Sequence, residues 1–383
     1  MTDASRGNAH ELTMSQTCSS LHAVDSCLAD LYARAIEQQG ALPTLKTVLL
    51  NLVIRAADPA LEASAQDFAA RVLTRVSSRV IVADRASSDQ PEGATVSVVC
   101  GVTERGDKRL CGEVIQIHAS QGAIIGGVMP LLLRDVPVYL WMLGDIASGH
   151  EDAADLLQVA SHLIVDSRQA VQLAHTMKDT EWLRRAFGGP RVVQDLAWVS
   201  LHNWREAAAS LFDPPAARES LADLSEITVS YLGSEDAALP PSLPLLLGCW
   251  LIGQLGLTIQ GAFHSRDEGY RIDAARGDQP VPVRLIPDGS DGPGLLSVVI
   301  KCGSDAFTVK RGSDSKLDLA SVHNGEHSEL GSVDAPDEDD VALVVSVLRS
   351  YGTDRVFERV LELAITAIDQ FLLVDERSAK IRL

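Results

Sequence analysis

Three short stretches hold residue types that could do chemistry. In "SDSK", Ser313 and Lys316 stand at the SxxK spacing, in which a lysine can take the proton of an attacking serine hydroxyl. In "HNGEH", His323 and His327 are four apart, the separation that puts two imidazoles on one helix face for a metal. In "HLIVDSR", Asp166, Ser167 and Arg168 follow an apolar run. A parallel strand there would deliver a carboxylate, a hydroxyl and a guanidinium to a ligand at its carboxyl end, and Asp145 closes "DVPVYLWMLGD" in the same way.

Local context weakens most of these. "SDSK" falls in a hairpin turn and has no SDN or KTG partner motif. Gly325 sits between the two histidines and argues against the helix they would need, so "HNGEH" reads as a solvated loop. His118 ends one strand and His162 begins another, and both read as hydrogen-bonded structural groups. The first buried strand is followed by "AADPALEA" rather than GxGxxG, and neither GxxxxGK[ST] nor GxSxG occurs. The spaced glycines Gly122 to Gly127 lie in an apolar helix and read as close packing. The expectation is no catalytic, cofactor or metal residue. Asp145, Asp166, Ser167 and Arg168 remain as a strand-end site if the chain binds a sugar phosphate or nucleotide.

Stepping outward, 383 residues with 46% hydrophobic and 22% charged side chains suit two or three domains with sizeable cores. The net charge of −19 gains nothing from counterion release, which disfavours nucleic acid or anionic membrane as main partner. "MTDASRGNAHELTMSQ" lacks the basic start and apolar run of a secretory signal. The apolar centre "LPLLLGCWLIG" falls short of the ~20 residues that span a bilayer. A cytoplasmic protein is expected. Its cysteines, Cys18, Cys27, Cys100, Cys111, Cys249 and Cys302, form no CxxC and read as reduced thiols. Cys100 and Cys111 could face each other across a strand pair, yet buried thiols are the simpler reading.

Elements follow from hydrophobic spacing. Leu21, Val24, Leu28, Leu31 and Ala35 mark a helix that Gly40 and Pro43 stop. "TVLLNLVIR" reads as a buried strand, and Asp58 with Pro59 starts the next helix. "RVIVAD" is a strand, and "ATVSVVCGV" pairs with "RLCGEVIQIHA" through the turn "TERGDKR". "DVPVYLWMLG" and "HLIVDS" are further core strands, and "QAVQLAHTMKDTEWLRRAF" is amphipathic. Apolar strands alternating with helices predict an α/β fold with a mainly parallel N-terminal sheet covered by helices. Beyond "DPPAARES" come "EITVSYLG", a buried helix stopped at Gly256, the strand "LTIQGAF" and then short strands. This predicts a C-terminal α+β domain with an antiparallel meander. Helices close the chain, the last capped by Thr353. The expected organisation is a disordered tail at 1–18, domains at 19–213 and 225–383, and a linker at 214–224.

"DLAWVSLHNWREAAASLFDPP" carries two tryptophans, notable where aromatics are 4% of residues. Asn203 with Glu206 makes a capping box, and Pro214 ends the helix. Trp204, Ala208, Leu211 and Phe212 share a face that reads first as a sheet anchor. The sharper reading exposes Trp198, Trp204, Arg205 and Phe212 at a partner interface, since Trp and Arg are favoured anchors.

These segments also carry a resemblance. In order and spacing, "LLLRDVPVYLWMLGD", "ASHLIVDSR" and "DLAWVSLHNWREAAASLFDPP" resemble the glucose-6-phosphate dehydrogenase assembly protein family, OpcA-like. "VLLNLVI", "LLLGCWLIGQLGL" and "YGTDRVFERVLELA" extend it over roughly Leu21 to Ala367. The resemblance implies a non-catalytic partner that promotes the assembled or active state of that dehydrogenase in the oxidative pentose phosphate pathway, with NADP bound by the dehydrogenase. Some relatives respond to thiol redox state. Here no cysteine follows Cys302, which puts that property in doubt.

Overall fold

Apolar runs without alternation become strands buried on both faces. The computed structural model describes residues 12–38, 44–46, 48–56, 59–85, 93–102, 109–119, 123–146, 154–185, 192–233, 237–265, 269–290, 294–350 and 352–381. They fall into two compact units, each discontinuous in sequence. The first takes residues 1–170, 182–194 and 340–353, and the second takes 171–181, 195–339 and 354–383. The division is not the single cut expected between 213 and 225.

The first unit is built on a nine-stranded sheet. Its strands are β1 (Leu12–Cys18), β2 (Thr44–Lys46), β3 (Asn51–Ala56), β4 (Arg79–Arg85), β5 (Gly93–Val102), β6 (Arg109–Ala119), β7 (Val138–Leu143), β8 (His162–Val165) and β9 (Val192–Asp195). The order is β1-β5-β6-β4-β3-β7-β8-β9, with β2 beside β6. β6, β4, β3, β7 and β8 run parallel to their neighbours in that row. Every residue of β3 and β7 is buried, as the centre of a two-sided sheet requires. Counting β3 as the first strand, β6-β4-β3-β7-β8-β9 has the doubly wound order 3-2-1-4-5-6 and a switch point between β3 and β7. Helix α1 (Val24–Gln38) packs on β1 and β5, and α2 (Glu62–Leu73) packs on β3, β4 and β6. Short α3 (Ile124–Val128) lies on β4 and β6, where a methyl on Gly127 would meet Ile117 Cδ1 at 3.3 Å.

The first unit corrects two expectations. Leu12–Cys18 is not part of a disordered tail: it pairs antiparallel with β5 from Leu12↔Cys100 to Cys18↔Ala94. Cys100 and Cys111 are not separate thiols but a disulfide, because the register sets them directly opposite with Cα atoms 4.1 Å apart. Cys18, Cys27, Cys249 and Cys302 are buried free thiols. Asp58, Gly40, Pro43, Gly122 and the loop of "TERGDKR" lie outside the described residues.

The second unit holds an eight-stranded sheet in the order β11-β12-β13-β10-β14-β15-β16-β17. These strands are β10 (Leu224–Tyr231), β11 (Thr258–Ser265), β12 (Gly269–Arg276), β13 (Gln279–Pro287), β14 (Leu295–Cys302), β15 (Asp305–Arg311), β16 (Lys316–His323) and β17 (Glu326–Asp334). All neighbours are antiparallel except β10 and β13. Its helices are α5 (Leu196–Ser200), α6 (His202–Ser210), α7 (Pro215–Ser220), α8 (Ser242–Gln254) and α10 (Arg355–Ile381), while α4 (Leu173–Arg185) precedes them and α9 (Asp340–Arg349) belongs to the first unit. α8 ends before Gly256, whose φ of +67° favours glycine, and β11 follows as expected.

Here too the structure revises the reading. The expected linker is helical over Pro215–Ser220 and Leu221–Asp223. "HNGEH" is the turn of the β16–β17 hairpin, with Asn324 and Gly325 at φ of 50° and 84° and His323 opposite Glu326. Asn203 does not cap α6: it lies inside that helix, which has no side-chain cap, while Asp195 caps the preceding α5, its Oδ1 accepting Ala197 N–H at 2.9 Å. At the last helix Asp354, not Thr353, caps α10 by accepting Phe357 N–H at 2.9 Å.

Candidate functional site

The strand ends of the first unit are crowded with charge. Arg168 lays its fork on Asp166, Nε to Oδ1 and Nη2 to Oδ2 both at 2.7 Å, and Nη2 also reaches Asp340 Oδ1 at 2.7 Å. Arg168 N–H and Gln169 Nε2 donate to the same Asp166 carboxylate. Despite its burial, the two carboxylates hold the Arg168 guanidinium above its ordinary value. Asp166 and Ser167 are buried and Asp145 is half-buried. Asp166 and Arg168 lie together, but their charges are spent on each other and on clipping α9 to the end of β8.

A second cluster lies at the carboxyl ends of β3, β4 and β6. Arg55 is buried and donates from Nη1 to Ala56 O at 2.8 Å and Ala83 O at 3.2 Å. Asp84 is 1% exposed, and its Oδ2 accepts Gln116 Nε2 at 2.7 Å. Its Oδ1 and the buried His118 Nδ1 have no hydrogen-bond partner among the described residues. Burial raises the Asp84 carboxyl above the usual range against the pull of Gln116. Such groups could take a hydroxyl of a small ligand. The turn after β3 offers no glycine-rich cradle for a pyrophosphate, and Arg55 is held to backbone carbonyls. Motif reading missed this cluster, although each acid or imidazole closes a buried strand.

In the second unit, Trp198 and Trp204 are 2% and 6% exposed, and so belong to the core. Trp198 stacks near Phe357 with centroids 5.8 Å apart and donates its indole N–H to Asp354 Oδ2 at 2.8 Å. Phe212 is half-buried, 4.8 Å from the Phe307 ring. Arg205 is half-buried too, its guanidinium 3.6 Å from the Trp198 ring centroid. Thus two of the four interface candidates are buried and two are half-buried. The exposed tryptophan is Trp182, at 49%, on α4. Its place on an amphipathic helix gave no sign of which way it faced.

The remaining candidates do not assemble. Asp305 Oδ2 lies 2.9 Å from His323 Nδ1 and accepts Ser220 Oγ at 3.1 Å. The carboxylate, not the imidazole, stands between the other two, so this is no serine–histidine relay. Ser313 precedes a turn through Asp314 and Ser315, both at positive φ, and Lys316 starts the next strand. Among the described residues no group of three or more His, Cys, Asp or Glu could hold a metal. No described helix is long and apolar enough to cross a membrane. His162 begins β8 and stacks on Tyr139 at 4.2 Å, a packing role, and burial holds it below its ordinary pKa.

Two family profiles match in succession. That described as glucose-6-phosphate dehydrogenase subunit N-terminal domain matches residues 69–181, and the corresponding C-terminal domain matches residues 191–361. The chain belongs to the glucose-6-phosphate dehydrogenase assembly family, OpcA-like. Relatives named OxPP cycle protein OpcA occur in Synechocystis, 29% identical over 150 residues, and in Synechococcus elongatus, 27% over 174 residues. The matched parts cover 38% and 44% of this chain but only 31% and 37% of those relatives. An oxidoreductase from Sinorhizobium meliloti aligns with a TM-score of 0.52 at 10% identity, over 87% of this chain and 98% of its own. A transcriptional regulator from Kluyveromyces lactis aligns at 0.51 and 12%, over 91% and 96%. At such identities the likeness is one of fold. The family adopts here a doubly wound sheet without its glycine-rich fingerprint.

Proposed function

We propose that this chain is a cytoplasmic, non-catalytic partner of glucose-6-phosphate dehydrogenase that favours the dehydrogenase's assembled, more active form in the oxidative pentose phosphate pathway. The observation that carries the reading is the pair of family profiles, both described as parts of a subunit of that dehydrogenase. The hydride chemistry and NADP stay with the dehydrogenase. An activator of this kind must bind one conformation or oligomer better than the others, since indifferent binding shifts nothing. Titrating the chain into its cognate dehydrogenase, while following initial rate and mass by light scattering, tests it. A saturable rise in rate with a step in mass is expected. A dehydrogenase unchanged in both would end the reading.

One observation favours a second reading, a small hydroxylated ligand at the strand ends: buried Asp84 Oδ1 has no hydrogen-bond partner among the described residues, and His118 Nδ1, 4.0 Å from Asp84 Oδ2, lies beside it at the sheet's carboxyl edge. Thermal-shift screening of the chain alone with sugar phosphates and nucleotides separates the two. Stabilisation that Asp84→Asn abolishes would favour this second reading.

A further inference from the structure

Arg205 stands in an unusual electrostatic state. It lies on α6, with its guanidinium flat enough on Trp198 to sit 3.6 Å from the ring centroid. Its Nη2 reaches Trp198 O at 3.4 Å, a long contact, and its buried Nε has no partner among the described residues. No described carboxylate forms an ion pair with it, in contrast to Arg79 and Arg168. Asp354 exerts an attraction on it but is committed elsewhere, with Oδ2 accepting the Trp198 indole and Oδ1 accepting the Phe357 amide. Burial lowers the guanidinium to about 10, and Asp354 only partly offsets this.

A cation drawn partly out of water without a counterion is unfavourable for the free protein. It becomes favourable when an anion arrives with matching geometry. The indole fixes the plane of the fork beforehand, so little side-chain freedom is lost on pairing. Beneath it Trp198 and Phe357 are 2% and 1% exposed, a rigid base. Beside it on α6, His202 and Glu206 are exposed and 3.4 Å apart, the polar surroundings of an interface rim. We infer that Arg205 anchors a protein interface by receiving a carboxylate side chain of the partner. One guanidinium with Asp354 close behind it suits a singly charged carboxylate better than a phosphate dianion, which draws on several donors. The net charge of −19 also opposes polyanions at long range.

This rests on the reading that the chain binds glucose-6-phosphate dehydrogenase, and the test separates the two. Dissociation constants for that enzyme are measured with the full wild-type chain, Arg205→Gln and Arg205→Lys, at low and high salt, alongside the melting temperature of each free chain. Arg205→Gln is expected to weaken binding about tenfold or more, and Arg205→Lys severalfold because an ammonium cannot supply the planar fork. The gap between wild type and Arg205→Gln should narrow as salt rises, and the free variants should melt within about 2 °C of wild type. Wild-type binding with both variants equally tight would overturn the role of Arg205 and leave the dehydrogenase reading standing. Absent wild-type binding would remove that reading and the partner assigned here together. A melting drop beyond about 5 °C in Arg205→Gln would return the residue to core packing. Stabilisation of wild type but not Arg205→Gln by about 10 mM acetate or inorganic phosphate would assign the fork to a free anion, overturning the protein partner.

Discussion

Single residues show where charge is costly and where it is held. Arg79 and Glu113 form a buried pair, Nε to Oε2 at 2.6 Å, with side chains 6% and 0% exposed. Arg79 also donates to Leu131 O at 2.8 Å. Glu113→Ala would leave the buried guanidinium with the exposed Asp25 carboxylate 3.9 Å away in place of its 2.6 Å partner, so a loss of about 3–5 kcal/mol is expected in urea denaturation. Asp305 offers a pH-dependent counterpart. The hydrogen bond with His323 holds its carboxyl below the ordinary range, with smaller help from Asn324 N–H and Ser220. A carboxylate lowered by folding contributes stability above its unfolded pKa of about 3.9, and loses it as pH falls through the lower folded value. Urea midpoints measured down the acid limb should therefore fall less steeply for Asp305→Asn than for wild type. A parallel limb would remove Asp305 as a source of acid lability.

At the level of elements, hydrophobic spacing made most of the fold legible, because burial on one or both faces is written in consecutive residues. "DVPVYLWMLG" became β7, and the glycine stop after α8 held. Caps were misread: Asn203 falls inside α6, which has no side-chain cap, and Asp354 rather than Thr353 accepts the Phe357 amide at the start of α10. The Asn-Gly of "HNGEH", read only as a solvated loop, is the tight turn of a hairpin, a signal that this dipeptide carries by itself. The facing of Trp182 and the pairing of Cys100 with Cys111 depend on neighbours distant in sequence or on strand register, and no periodicity encodes them. The disulfide predicts four titratable thiols, not six, in denatured, unreduced protein. Six thiols would mean the strands meet without the bond. Gly112 on β6 is a sharper test of packing. A methyl there would clash with Leu73 Cδ2 and meet Ser78 O at 3.1 Å. Gly112→Ala should therefore destabilise by about 1–3 kcal/mol, since Leu73 must move and the backbone carbonyl cannot easily follow.

At the scale of the whole molecule, neither unit is continuous in sequence. Residues 340–353 return from the far end of the sequence to complete the first unit. Within them α9 buries Val341, Leu343, Val344, Val345, Val347 and Leu348, packs on α2, and is held by Arg168–Asp340 and by Arg349 donating to Arg75 O at 3.1 Å. A fully buried aliphatic side chain is worth roughly 1.5–3 kcal/mol. Six of them rival the entire margin of about 5–15 kcal/mol that keeps a domain folded. A fragment cut at the compositional break, residues 1–213, lacks this helix and exposes the apolar surface of α2 beneath it. It is expected to aggregate or to bind a hydrophobic dye strongly when expressed alone, and to be rescued by co-expression with residues 214–383. Cooperative thermal unfolding of the isolated fragment near the intact protein's melting temperature would show instead that the N-terminal sheet stands without its C-terminal helix.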